Sequence, residues 1–276
     1  MPLDFQVIVY GILLPSGLAA GMLTLLSNLQ SDGTARRWPA APAMGTSFIV
    51  GVWLFPWVPF SPIAHWHWLP YVALTGMAIG SIALWTRGSA GIRIVLYGLA
   101  GVATAWFLIP NWDDLRPSYS VYFAGLASGV LAVNVLTDRV ARRLSDVRYA
   151  TLLCVTASAG AVLLVLSGNL KLGQLTGVLA ASTGGGAAAA WRRPSRVSMR
   201  SAWPVFNMLL CGLMLSGYLN SESDVPFLCY PLVVISPLTL WIRPPRKGGR
   251  RAIAIQTAGV VAPLAIALVV AVIRAS

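Results

Sequence analysis

The chain has 276 residues, 57% of them hydrophobic and only 10% charged, and its mean hydropathy is +0.73. A soluble globular chain carries about 25% charged residues, so this composition excludes an ordinary soluble domain and points to a polytopic membrane protein. The net charge of +12 would suggest a nucleic-acid partner in a soluble protein, but the placement of the charges accounts for it without nucleic acid.

Apolar runs near the roughly 20 residues that a bilayer span needs recur along the whole chain. They predict ten helices, at about 5–27, 42–60, 68–85, 94–110, 118–137, 149–167, 172–191, 201–219, 227–242 and 253–273. Met1 to Asp4 form no basic leader, and the first apolar run is too long for a cleaved signal peptide, so the first helix is expected to be retained. Pro15 interrupts it. The second helix ends in a lip rich in proline and tryptophan, Phe55 to Pro70, where Pro56, Pro59 and Pro62 disfavour a continuous helix. The central stretch Asp138 to Arg148, DRVARRLSDVR, reads as a loop, with five helices before it and five after.

Seventeen of the twenty Lys and Arg residues fall in alternate connections, and only Arg116, Lys171 and Arg274 fall in the others. Cytoplasmic loops carry the excess of Lys and Arg. The expected fold is therefore an all-α bundle of about ten transmembrane helices in one domain, 1–276, within a cytoplasmic membrane. Both termini are expected outside. The expected partners are the bilayer itself and the anionic lipid headgroups of the cytoplasmic face.

Gly17 and Gly21, Gly76 and Gly80, and Gly125 and Gly129 each place glycines four apart on one helix face, as close helix packing in membranes favours. Gly184 to Gly186 lie in a helix made largely of Gly and Ala. They suit either a covered, tightly packed position or a helix that unwinds beside a cavity. VYGILLPSGLAA from Val9 and VYFAGLASGVLA from Val121 agree at six of twelve positions, which suggests a parallel repeat of four helices with two appended. Cys154, Cys211 and Cys229 lie within spans at unrelated spacings, as buried thiols do.

No charged residue lies in the middle of a predicted span, although intramembrane charge commonly marks proton relays and voltage sensors. Neither a phosphate-loop motif nor a zinc-helix motif occurs, and no cofactor is expected. Two sets of residues remain. Asn207, Asn134, Thr104 and Ser158, together with Thr156, Ser182, Thr183 and Gln256, are polar side chains inside spans. Such groups ordinarily bond across helices or to their own backbone; the functional alternative is an uncharged polar pathway, with Asn207 its foremost member. His65 and His67, with Asp113 and Asp114, form the second set, at the outer lip. If the lip is extended, residues two apart point the same way, and imidazole with carboxylate suits a divalent metal or acid–base work. The leading functional expectation is a small solute carrier without its own ATPase. The alternatives are a membrane-embedded enzyme at the outer lip and a structural subunit that binds another membrane protein through its glycine faces.

Overall fold

The computed structural model describes residues 8–28, 39–86, 89–112, 115–193, 197–241 and 250–275. Every regular element among them is helical. The helices are α1 (Val9–Asn28, its first turn a π-helix), α2 (Ala40–Trp53), α3 (Leu69–Trp85, entered through a 3₁₀ turn at His65–Trp68), α4 (Ala90–Leu108) and α5 (Tyr119–Ala141). They continue as α6 (Asp146–Leu166), α7 (Leu170–Arg192), α8 (Trp203–Leu219), α9 (Cys229–Ile235, running on as a 3₁₀ turn over Ser236–Trp241) and α10 (Arg250–Ala275). Among the described residues, six segments are long and apolar enough to cross a membrane: Val9–Asn28, His65–Leu84, Ala90–Leu108, Tyr119–Ala141, Asp146–Leu166 and Ile255–Arg274.

Four helices remain: α7 has 23 residues but is made largely of Gly, Ala, Ser and Thr, and α2, α8 and α9 are short. α8 has 17 residues, about 25 Å at 1.5 Å per residue, and every residue from Trp203 to Met214 is buried. It packs against α2 to α7 and α9, so protein rather than lipid surrounds it. Pro204 stands in its first turn, where a missing amide hydrogen costs nothing. α2 stops at Trp53, seven residues before the expected end near 60, because Pro56 and Pro59 cannot continue a helix. α9 tightens into 3₁₀ geometry at Ser236–Pro237.

Close approach explains some of the glycines. A Cβ at Gly80 would overlap the Ser201 carbonyl, and one at Gly185 would overlap the Ser16 carbonyl. Gly185 thus lets α1 and α7 touch backbone to backbone, and α7 runs unbroken through all three central glycines. Gly17, Gly21, Gly125 and Gly129 instead face open space. The last two wall an apolar groove of about 510 Å³ between α5, α8 and α9. The first helices of the suggested four-helix repeat pack differently: α1 lies against α7, whereas its counterpart α5 packs chiefly on α4 and α8.

One expectation about the central stretch is overturned. Asp138 to Ala141 continue α5, and Asp146 to Arg148 begin α6, so only 142–145 connect the two helices. Asp138 is 8% exposed. A buried carboxylate therefore sits near the end of a helix rather than in a loop, and the middle of that helix carries no charge. An arginine on either side keeps it there.

Candidate functional site

Among the described residues, Arg93, Arg139, Arg142 and Arg200 gather about Asp138 at one end of the bundle, called here the basic end. Asp146 Oδ1 accepts hydrogen bonds there from Met199 N (2.8 Å) and Ser198 Oγ (3.1 Å). Arg193 donates to Asn28, and the Arg143 guanidinium covers the Trp241 ring.

The deepest polar residues of this half come together. Asn207 on α8 donates both amide hydrogens to α5, to Asn134 Oδ1 at 3.1 Å and to Thr137 Oγ1 at 2.8 Å. Thr137 in turn donates to the Val133 carbonyl. Asn134 and Thr137 are wholly buried, and Asn207 nearly so. One helical turn nearer the basic end, Asp138 Oδ2 accepts from Arg142 at 2.9 Å and pairs with Arg93 of α4 at 3.2 Å. Exposure rises along this line, from none at Asn134 through 12% for the Asp138 side chain to 48% for that of Arg142. The cluster therefore leads from a sealed interior toward the basic surface. Residues 134, 137, 138 and 141 share a face of α5, because a helix repeats every 3.6 residues.

Aromatic residues complete it. Tyr97, one turn beyond Arg93 on α4, lies beside the Trp203 indole, and Tyr149 of α6 lies beside Thr137, both within electrostatic reach of Asp138. Neither pair reaches hydrogen-bond geometry. Six buried side-chain atoms in this region have no hydrogen-bond partner: Arg93 Nε, Tyr97 Oη, Asn134 Nδ2, Tyr149 Oη, Arg200 Nε and Trp203 Nε1. Most buried polar groups in folded proteins are paired, so six such atoms in one region set it apart from the other described residues.

Of the four pathway candidates, then, Asn207 and Asn134 meet, and two stay apart. Thr104 is buried but donates to the Ala100 carbonyl of its own helix at 2.7 Å. Ser158 donates to Cys154 at 2.9 Å and faces outward. Sequence reasoning missed Asp138, Arg93, Tyr97, Tyr149 and Trp203. Two signals could have found them: the polar stripe 134–137–138, and the four-residue spacings of Arg93 with Tyr97 and of Trp203 with Asn207.

The opposite, tryptophan-rich end is built differently. The lip at His65–Trp68 is a 3₁₀ turn rather than extended chain, so the two histidines are engaged separately. His67 Nδ1 accepts the amide hydrogens of Ile63 and Ala64, each at 3.1 Å. His65 Nε2 lies 3.1 Å from Asn220 Nδ2 and stands edge-on to Trp112. Asn220 Nδ2 also donates to the Ser216 carbonyl, which fixes it as the nitrogen and makes His65 Nε2 the acceptor. Beside them lies a hollow of about 570 Å³ lined by His65, Trp68, Trp106, Asn111, Trp112 and Asn220 among others. Asp113 and Asp114 lie outside the described residues, and among the described residues no three His, Cys, Asp or Glu side chains gather as a metal site would require. No protein family matches this chain, and neither does any curated protein or solved structure.

Proposed function

We propose that the chain is a multi-pass solute carrier without its own ATPase, its ten helices set in a cytoplasmic membrane. The basic end faces the cytoplasm and both termini lie on the other side. The observation that carries this reading is the polar cluster around Asn134 and Asn207, buried among apolar helices yet left with six unpaired polar atoms. Polar groups inside a membrane bundle are costly and concentrate along pathways for solutes and ions. Seventeen of the twenty Lys and Arg residues in alternate connections support the orientation. The short helices α2, α8 and α9 can cross because neighbouring protein relieves the mismatch with the bilayer.

Two measurements test this. With the native cysteines replaced, a single cysteine at Ser145 should react only from the cytoplasmic side and one at Ser223 only from the opposite side; labelling of both from one side ends the ten-span orientation. Comparison of the solutes taken up or lost by cells with and without the protein identifies the cargo. Asn207→Leu should then abolish that transport while the purified variant still folds. Normal transport by a folded Asn207→Leu variant would remove the cluster from the pathway.

A further inference from the structure

We propose that the cluster at the basic end binds an oxyanion, a carboxylate or phosphate group, held by Arg93, Tyr97, Asn134, Tyr149, Arg200 and Trp203. This rests on the carrier reading for the purpose of the site, but not for its chemistry.

The chemistry follows from counting donors and acceptors. Arginine Nε and tryptophan Nε1 can only donate, as can the amide nitrogen of asparagine, while the two tyrosine hydroxyls can do either. Every unpaired atom in the cluster is therefore a donor or able to act as one. Several of the acceptors beside them are already engaged. Asp138 Oδ2 takes Arg93 and Arg142, and Asn134 Oδ1 and Thr137 Oγ1 both take Asn207. What the cluster lacks is acceptor capacity. Water supplies some, but each water brings two hydrogens that need acceptors of their own, and a buried water typically makes about three hydrogen bonds. A cation would meet mainly donors and guanidinium charge.

Charge points the same way. One carboxylate, Asp138, stands among the guanidiniums of Arg93, Arg142, Arg139 and Arg200, an excess of three positive charges. An oxyanion supplies both the missing acceptors and the missing negative charge, through charge-assisted hydrogen bonds, the stronger kind. The donors come from α4, α5, α6, α8 and the segment just before α8, so an occupant would tie these elements together. Two sources offer such a group: a dissolved solute and the headgroup of an anionic lipid at the cytoplasmic face.

The test uses the full chain in nanodiscs of phosphatidylcholine. Inorganic phosphate and succinate are titrated at constant ionic strength against chloride, with glucose as a neutral control, and thermal unfolding is followed. A ligand that binds only the folded state raises its stability with concentration. Phosphate or succinate should raise the melting temperature where chloride and glucose do not. Tyr97→Phe and Tyr149→Phe each delete one unpaired hydroxyl and no other heavy atom. They should melt like the parent without oxyanion, and should need at least tenfold more oxyanion for the same shift. In nanodiscs containing phosphatidylglycerol, stabilisation by the lipid alone that both variants weaken assigns the site to the headgroup and supports the same chemistry. Three results overturn the proposal: no shift with either probe or with the anionic lipid, shifts equal in parent and variants, or variants that melt well below the parent without oxyanion, which would show these donors already bonded within the fold. Transport that depends on Asn207 would survive any of these, so the carrier reading stands or falls on its own measurement.

Discussion

The two ends of this bundle bury polar side chains in opposite ways. At the tryptophan-rich end polar groups close local structure. His67 ties down the amides that precede its own turn, Asn220 joins His65 to the last turn of α8, and Asn169 donates to the carbonyls of Gly217 and Asn220. Trp68 stacks on Phe107 with ring centroids 5.3 Å apart. At the basic end the polar groups come from several helices and leave donors unused. Of nine buried unpaired side-chain atoms among the described residues, six lie there, and the other three are hydroxyls of Ser182, Ser216 and Tyr230. A fold that only had to be stable would pair its buried donors or replace them with apolar groups, because an unsatisfied buried donor costs about 1–3 kcal/mol. The difference separates polar residues that build the lip from polar residues whose donors stay unpaired.

The sharpest way to break this comparison is at the buried ion pair. Arg93→Ala leaves Asp138 with one direct ion pair, to Arg142, whose side chain is 48% exposed. Removing one partner of a buried pair costs about 3 kcal/mol or more, and chemical unfolding in detergent should report a loss of that size. Arg142→Ala should cost less than about 1 kcal/mol, as exposed pairs do. Equal losses would mean that Asp138 is solvated, and the cluster would no longer be a buried one.

A finer pair of variants sets one end against the other. Asn207→Leu removes two interhelical hydrogen bonds and should lower stability by about 1 kcal/mol, since such bonds average about 0.6 kcal/mol each in membrane bundles. His67→Ala removes the acceptor for two backbone amides and should also cost about 1 kcal/mol, the usual worth of a capping side chain. The two variants should thus unfold alike, yet only Asn207→Leu should stop transport. If both stop it, the lip belongs to the pathway too; if neither does, the polar cluster is structural.

How much of this was legible in the sequence depends on what carried each feature. Ten helical segments follow from apolar length and from proline, and they appear close to where those signals place them. The end of α2 differs because Pro56 acts before the apolar run is exhausted. Asp138 was hidden by its context: amid DRVARR it looks like a loop, whereas its burial depends on Arg93, forty-five residues earlier and on another helix. Asn134 and Asn207 could each be picked out singly, but their pairing across seventy-three residues is a fact of tertiary packing. Tyr97, Tyr149 and Trp203 resemble the aromatic residues of a membrane interface, and only their burial distinguishes them. Ser158 shows the converse error: a polar residue in mid-span attracts notice, yet it faces outward and bonds to its own helix.

The smallest expected effect belongs to metal at the tryptophan-rich lip, and its size follows from which nitrogens are already engaged. A neutral imidazole has one nitrogen that carries hydrogen and one with a free lone pair, and only the second can bind a metal. In His67 the lone pair on Nδ1 faces two amide hydrogens, so the proton sits on Nε2. In His65 the lone pair on Nε2 faces the Asn220 amide, so the proton sits on Nδ1. Each ring would have to give up these bonds, or switch tautomer, before it could ligate zinc, and two histidines still fall short of the three or four protein ligands that zinc sites use. Micromolar zinc should therefore leave the melting curve of the purified protein unmoved, and the double change His65→Ala, His67→Ala should not alter that result. A rise in melting temperature with zinc that the double variant abolishes would show that the lip rearranges to take a metal. The contrast would then reverse, with the tryptophan-rich end holding a ligand site that its hydrogen bonds conceal.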